Sequence, residues 1–154
     1  MKENITDLMV KIPMFAGLND DELEIVKNHI ELFEIEKGAT LFEEGDQGDA
    51  VCFVVNGRLE VTKRTITGED FVINTLARGQ SVGELSLIDN RPRSATVRAK
   101  TEASLFKLTR SNFEKIMQDH AAITIKILKG LSLLLSKKLR QTSSRLISYM
   151  ATAT

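Results

Sequence analysis

The spacing of apolar positions changes twice along the chain. Between residues 7 and 30, Leu8, Ile12, Phe15, Leu18, Leu23 and Val26 recur at steps of three to five, the interval that lines one helix face. Pro13 and Gly17 interrupt the run, which predicts two short helices. The second opens at Asp21-Glu22-Leu23, with Asn19 or Asp20 as its cap. From Glu31 the interval falls to two, or to short unbroken runs: Leu32-Phe33-Glu34-Ile35, Leu41-Phe42, Val51-Cys52-Phe53-Val54-Val55, Leu59-Glu60-Val61, Phe71-Val72-Ile73 and Leu105-Phe106-Lys107-Leu108. These read as strands. Gly38, Gly45 to Asp49, Asn56-Gly57, Thr67-Gly68-Glu69 and Arg78-Gly79 break them, and Asn56-Gly57 has the composition of a two-residue hairpin turn. Short strands at this frequency predict a β-sandwich, roll or barrel.

Beyond Thr109 the helical interval returns. Ser111 can cap a helix opening Asn112-Phe113-Glu114, and a second helical pattern runs from Ala121 to about Met150, ~43 Å at 1.5 Å per residue. A body of this size does not need so long a helix. Leu128, Ser132, Leu135, Leu139, Thr142, Leu146 and Tyr149 alternate by three and four, as in a two-stranded seam, with Gly130 permitting close approach. The expectation is a body over 1–120 and a dimerisation or lid helix over 121–154. Leu131, Leu133 and Leu134 widen the stripe, so a helix packed wholly on its own body is the alternative.

Charge sharpens that division. The 154 residues carry 21 basic and 21 acidic side chains, but residues 120–154 hold six basic and no acidic ones. The remaining 119 are therefore net acidic by six. A hydrophobic fraction of 42% supports one sizeable core and excludes wholesale disorder. The N-terminus lacks the apolar core of a signal peptide, and no apolar run approaches the ~18 residues that span a bilayer, so a cytoplasmic chain is expected. The single cysteine, Cys52, reads as a small buried hydrophobe, and His29 and His120 complete no metal-ligand set.

One segment inside the β region breaks the strand pattern: Gly79 to Val97, read as loop, single helical turn, loop and strand. Gly83 permits a tight backbone approach before Glu84-Leu85-Ser86, where free N–H groups at the start of the turn favour an anion. Pro92 stiffens the return that presents Arg93 and Ser94. Unpaired amides, a guanidinium fork and a hydroxyl suit a phosphate, whereas Glu84 would repel one and suits a sugar hydroxyl. The mixture points to a ligand with both phosphate and ribose.

Gly83-Glu84-Leu85, a seven-residue gap, then Arg93-Ser94-Ala95 and Val97 resemble the phosphate-binding cassette of the cyclic nucleotide-binding domain, found in bacterial catabolite activators and regulatory subunits of protein kinase A. Gly38 to Asp46, Asn56 to Val61 and Phe113 to Ile116 extend the resemblance over residues 10–145. It implies a mainly β fold with flanking helices: a double-stranded β-helix, or β-roll, of about eight strands, with N-terminal helices and a long C-terminal one.

The resemblance also implies roles. Glu84 would accept the ribose 2′-hydroxyl, Arg93 would pair with the phosphate oxygens, and Ser94 would donate its hydroxyl. The amides of Leu85 and Ala95, with Gly83 for clearance and Ser86 in the same turn, would complete the cradle. Val61 and Ile73 would line the base. Lys137-Lys138-Leu139-Arg140-Gln141-Thr142-Ser143 resembles the stretch of the activators' long helix whose Thr-Ser pair meets adenine across the dimer, which assigns Thr142 and Ser143 to the base. Ser94 after the arginine favours cAMP over cGMP. No helix-turn-helix follows, so direct DNA reading is not expected from this chain.

The implied function is a cyclic nucleotide sensor, homodimeric through the last helix, that acts on a separate effector protein, with no metal and no turnover. No Walker loop or nucleophile elbow is present for hydrolysis, and the cupin-like metal alternative lacks convergent histidines. The competing reading is an interaction module of the same fold with an empty pocket, whose basic helix is the working surface.

Overall fold

The computed structural model describes residues 4–153. Its elements are α1 (Ile5–Met9), a 3-10 turn (Pro13–Phe15), α2 (Asp20–Lys27), β1 (Glu31–Ile35), β2 (Thr40–Phe42), β3 (Ala50–Asn56), β4 (Leu59–Arg64), β5 (Asp70–Leu76), β6 (Ser81–Val82), a second 3-10 turn (Glu84–Leu87), β7 (Thr96–Ala99), β8 (Ala103–Thr109), α3 (Arg110–Asp119) and α4 (Ala121–Thr152). Of the two candidate caps for α2, Asn19 serves. Its Oδ1 accepts from Glu22 N at 2.9 Å while Glu22 Oε1 accepts from Asn19 N at 3.0 Å, a reciprocal capping box. Pro13 starts the 3-10 turn, so the chain between Met9 and Asn19 is a sequence of tight turns rather than α-helix.

The strands form two four-stranded antiparallel sheets, β1-β8-β3-β6 and β2-β7-β4-β5. This is the expected β-roll. β3 explains its own unbroken apolar run, because both of its faces are covered. Val51, Phe53 and Val55 join a core formed with the N-terminal elements, α3 and α4, whereas Val54 points between the sheets toward Leu59, Val61, Val97 and Leu105. Phe53 lies between Phe106, stacked at 4.7 Å, and Phe15 at 5.2 Å.

Asn56-Gly57 is not a hairpin turn. β3 and β4 lie in different sheets, so the dipeptide turns a corner of the roll. Only Gly57 has positive φ, at 89°, whereas a type I′ hairpin needs both central residues there. A side chain at Gly57 would also run into the Glu102–Ala103 backbone. Sequence reading missed the two-residue β6 as well, because it pairs only with Cys52 and Phe53 of β3. At the start of α3 the cap is Thr109, not Ser111: its Oγ1 accepts from Asn112 N at 3.1 Å.

α4 is 32 residues long and changes character midway. Ile123, Thr124, Ile127, Gly130 and Leu131 are buried, with Leu128 and Leu135 packed half-buried on the same core. Beyond it Leu139, Leu146, Ile147, Tyr149 and Met150 are 57–74% exposed. Gly130 serves the chain's own body: a Cβ there would lie 2.6 Å from Pro13 O and 2.8 Å from Met14 O. The close approach is to the 3-10 turn, not to a partner helix. Among the described residues no helix is long and apolar enough to cross a membrane, and no group of three potential metal ligands occurs.

Cys52 is buried on β3, and burial pushes its thiol up from 9.0 to about 11. The native chain then keeps a proton that the unfolded chain releases, so stability falls as pH rises from about 9 to about 11. Urea titrations across this range should show the slope in the wild type and a shallower one in Cys52→Ala. Equal slopes would remove the cysteine as its origin.

Candidate functional site

At the open end of the inter-sheet space lies a cavity of about 290 Å³. Its floor and walls come from three places: Phe42, Val61 and Ile73 from the roll, Val82 to Ser86 from β6 and the second 3-10 turn, and Asp89 and Arg91 to Ala95 with Val97 from the return into β7. Gly83 ends β6 with φ 85°, in the left-handed region, and redirects the chain into the turn. A Cβ at Gly83 would fall on Arg93 Nη1 and 2.9 Å from Ala50 O. The clearance assigned to the ligand is therefore used first by the arginine.

Arg93 is 9% exposed. Its Nη1 donates to Ser86 Oγ at 2.9 Å, its Nη2 to Ala50 O at 2.8 Å, and its guanidinium carbon lies 3.8 Å from the Phe42 ring centroid. Gly48 makes room behind it, since a Cβ there would meet Ser86 Oγ at 2.5 Å and Arg93 Nε at 3.1 Å. Nε has no hydrogen-bond partner and is the one such buried side-chain atom among the described residues. Burial pulls the guanidinium below the usual arginine value, Asp49 and Asp46 oppose that, and Arg110 adds to it. A buried cation with a spare donor asks for an anion. The main-chain N–H groups of Leu85 and Ala95 donate no hydrogen bond to any described residue and are available for the same purpose.

Glu84 is 6% exposed, although it lines the cavity. Its Oε1 accepts from Ser81 Oγ at 2.5 Å and from Lys138 Nζ at 2.6 Å. Lys138 lies on α4, so the carboxylate ties the cassette directly to the long helix. A second brace comes from Arg110, which opens α3. It donates to Ser86 O at 2.8 Å, Gly48 O at 2.6 Å and Asp89 O at 2.9 Å, and also to Asn90 Oδ1. The return is held from the other side by Arg93 N donating to Asp46 O at 2.6 Å and by Gln47 Nε2 donating to Asn90 O at 3.0 Å.

The cavity thus gathers Gly83, Glu84, Leu85, Ser86, Arg93, Ser94, Ala95, Val61 and Ile73. Thr142 lies elsewhere, in a neighbouring groove between α4 and the β5–β6 loop, with its Oγ1 donating to Lys138 O. Ser143 is exposed and lines neither space. Ser81, Arg110, Phe42 and Gly48 were not singled out in the sequence. Arg110, Phe42 and Gly48 matter through partners distant in the chain, and Ser81 through a two-residue strand that fixes it beside Glu84, so no local pattern marks them.

A family model described as the cyclic nucleotide-binding domain matches residues 32–120, and the chain belongs to that family. A lysophospholipase nte1 of Aspergillus terreus is 32% identical over 116 residues, which cover 75% of this chain and 7% of that protein. The chain therefore spans a small part of the curated relative it matches. A cyclic nucleotide-binding domain from Methylobacillus flagellatus superposes with a TM-score of 0.84 at 24% identity, over 93% of this chain and 80% of that one. The regulatory domain of Toxoplasma gondii PKA, crystallised with cAMP, gives a TM-score of 0.68 at 29% identity, over 79% and 48%. The residues present fit such a ligand: the Arg93 guanidinium and the open amides of Leu85 and Ala95 suit its phosphate, and the Glu84 carboxylate suits its ribose.

Proposed function

We propose that this chain is a cytoplasmic cyclic nucleotide sensor that binds cAMP in preference to cGMP and signals through α4. The observation that carries the reading is the buried guanidinium of Arg93, a residue that lines the cavity and has one nitrogen, Nε, without a hydrogen-bond partner among the described residues. Its other two nitrogens are held by Ser86 and Ala50, which pre-orients the fork and lowers the ordering cost of binding phosphate. Nothing in the set has the arrangement of a nucleophile and its base, so the reading is binding without turnover.

The route outward runs through Glu84. A ribose hydroxyl donating to the free Oε2 of Glu84 takes up part of the carboxylate's charge and so weakens its Oε1 bond to Lys138, the contact that fastens the middle of α4 to the cassette. Occupancy then shifts the balance between a fastened and a released helix by the difference in ligand affinity for the two. The released segment carries the exposed apolar side chains Leu139, Leu146 and Tyr149 together with Arg140 and Arg145. It is the surface for a second copy of the chain or for an effector.

Calorimetric titration of cAMP and cGMP into protein refolded free of carried-over nucleotide tests this. Low-micromolar or tighter binding, with cAMP the tighter, is the expected result. No heat and no displacement with either nucleotide overturns the sensor and leaves the basic helix as the working surface.

A further inference from the structure

Glu84 faces the cavity, but both bonds that hold it come from behind. Ser81 and Lys138 line the adjacent groove, not the cavity, and both end on Oε1. Oε2 accepts no hydrogen bond from a described residue. The two donors differ in kind. Lys138 is a flexible cation whose side chain is 43% exposed, at the end of a long stem on a helix. Ser81 is 7% exposed and its backbone is locked: it pairs with Phe53 in the β3–β6 ladder, and the preceding carbonyl of Gln80 accepts from Val54 N at 2.9 Å. A short side chain on a rigid strand limits its oxygen to three staggered positions, and in the one adopted, 2.5 Å from Oε1, it holds the rotation of the carboxylate.

We propose that Ser81 is a positioning residue for ribose recognition. It does not line the ligand cavity; it clamps Oε1 of Glu84 and thereby aims Oε2 at the ribose 2′-hydroxyl. The inference rests on the cyclic nucleotide reading above and adds to it the residue that sets sugar specificity. When Lys138 leaves Glu84 on ligand binding, Ser81 alone keeps the carboxylate oriented, so the clamp matters most in the occupied state. A buried carboxylate freed of both donors would rotate and lose the directed bond to the sugar.

The test is equilibrium binding of cAMP and 2′-deoxy-cAMP to the wild type, Ser81→Ala and Ser81→Thr. The wild type is expected to prefer cAMP. In Ser81→Ala the cAMP affinity should drop about tenfold while that for the deoxy analogue stays nearly constant, so the preference collapses. Ser81→Thr keeps the donor and should keep the preference. An unchanged preference in Ser81→Ala, an equal loss for both ligands, or a collapse in Ser81→Thr as large as in the alanine variant would overturn the positioning role. If the wild type binds neither cAMP nor cGMP, the sensor reading itself has failed. If it binds both cAMP and the deoxy analogue equally, the ribose assignment of Glu84 falls, and Ser81 with it.

Discussion

Arg93→Ala is expected to weaken cAMP binding by about 30-fold to several thousand-fold, the range that follows from 2–5 kcal/mol for truncating one partner of a buried charge pair. The size follows from how the side chain is set. Its fork is buried, held at two nitrogens and stacked on Phe42, so the phosphate meets a donor already oriented and little water remains to be removed. Truncation also leaves Ser86 Oγ without its donor and opens space beside Gly48 and Gly83, so some stability is lost as well. A melt without nucleotide separates the two effects. Arg93→Lys keeps a charge but cannot serve Ser86, Ala50 and a phosphate from one nitrogen, and it should recover only a small part of the affinity. A folded Arg93→Ala protein that binds cAMP as tightly as the wild type would show that the guanidinium is a strut of the cassette and not its phosphate contact.

The fold was largely legible because the roll is built from features that local spacing reports. β3 reads as a continuous apolar run, since Val51, Phe53 and Val55 face the helices while Val54 faces the opposite sheet. The single helical turn of the cassette was legible too, because Gly83 ahead of Glu84-Leu85-Ser86 marks the left-handed residue from which the 3-10 turn starts. What escaped depends on distance in the chain. Asn56-Gly57 has hairpin chemistry, yet the pairing of β3 with β8 and of β4 with β7 sends its flanking strands to different sheets. Gly130 reads in the sequence as permitting close approach along a helical seam, but its neighbour is a 3-10 turn over a hundred residues earlier. Lys138 stood out only as part of a basic string, and its partner Glu84 lies 54 positions away. Ser81 was hidden inside a loop because a two-residue strand has no period to detect.

Gly130→Leu is expected to lower stability by about 3 kcal/mol, near the upper end of the range for overpacking, which for a domain of this size corresponds to a fall in Tm of about 6–12 °C. Two effects oppose each other at this position. Replacing a glycine inside a helix gains about 1 kcal/mol from reduced chain entropy, so at an open site the substitution would stabilise. Here the first added carbon would already meet Pro13 O at 2.6 Å, Met14 O at 2.8 Å and Met14 Cα at 2.9 Å. All three are backbone atoms of a turn stiffened by Pro13 and anchored by Phe15, which is fully buried against Phe53. That turn cannot yield, so α4 must move outward and loosen Ile127 and Leu131, which flank Gly130 in the core. The steric term wins, and its effect reaches the site: Lys138 stands eight residues, ~12 Å, further along the same helix and would be drawn off Glu84. Gly17→Ala is the control, because nothing lies within 4 Å of a Cβ there, and its melting temperature should match the wild type. Thermal melts of the three proteins decide the matter. A Gly130→Leu chain that melts with the wild type would mean that α4 is not seated on the 3-10 turn, and that the link from cassette to helix rests on the Lys138–Glu84 contact alone.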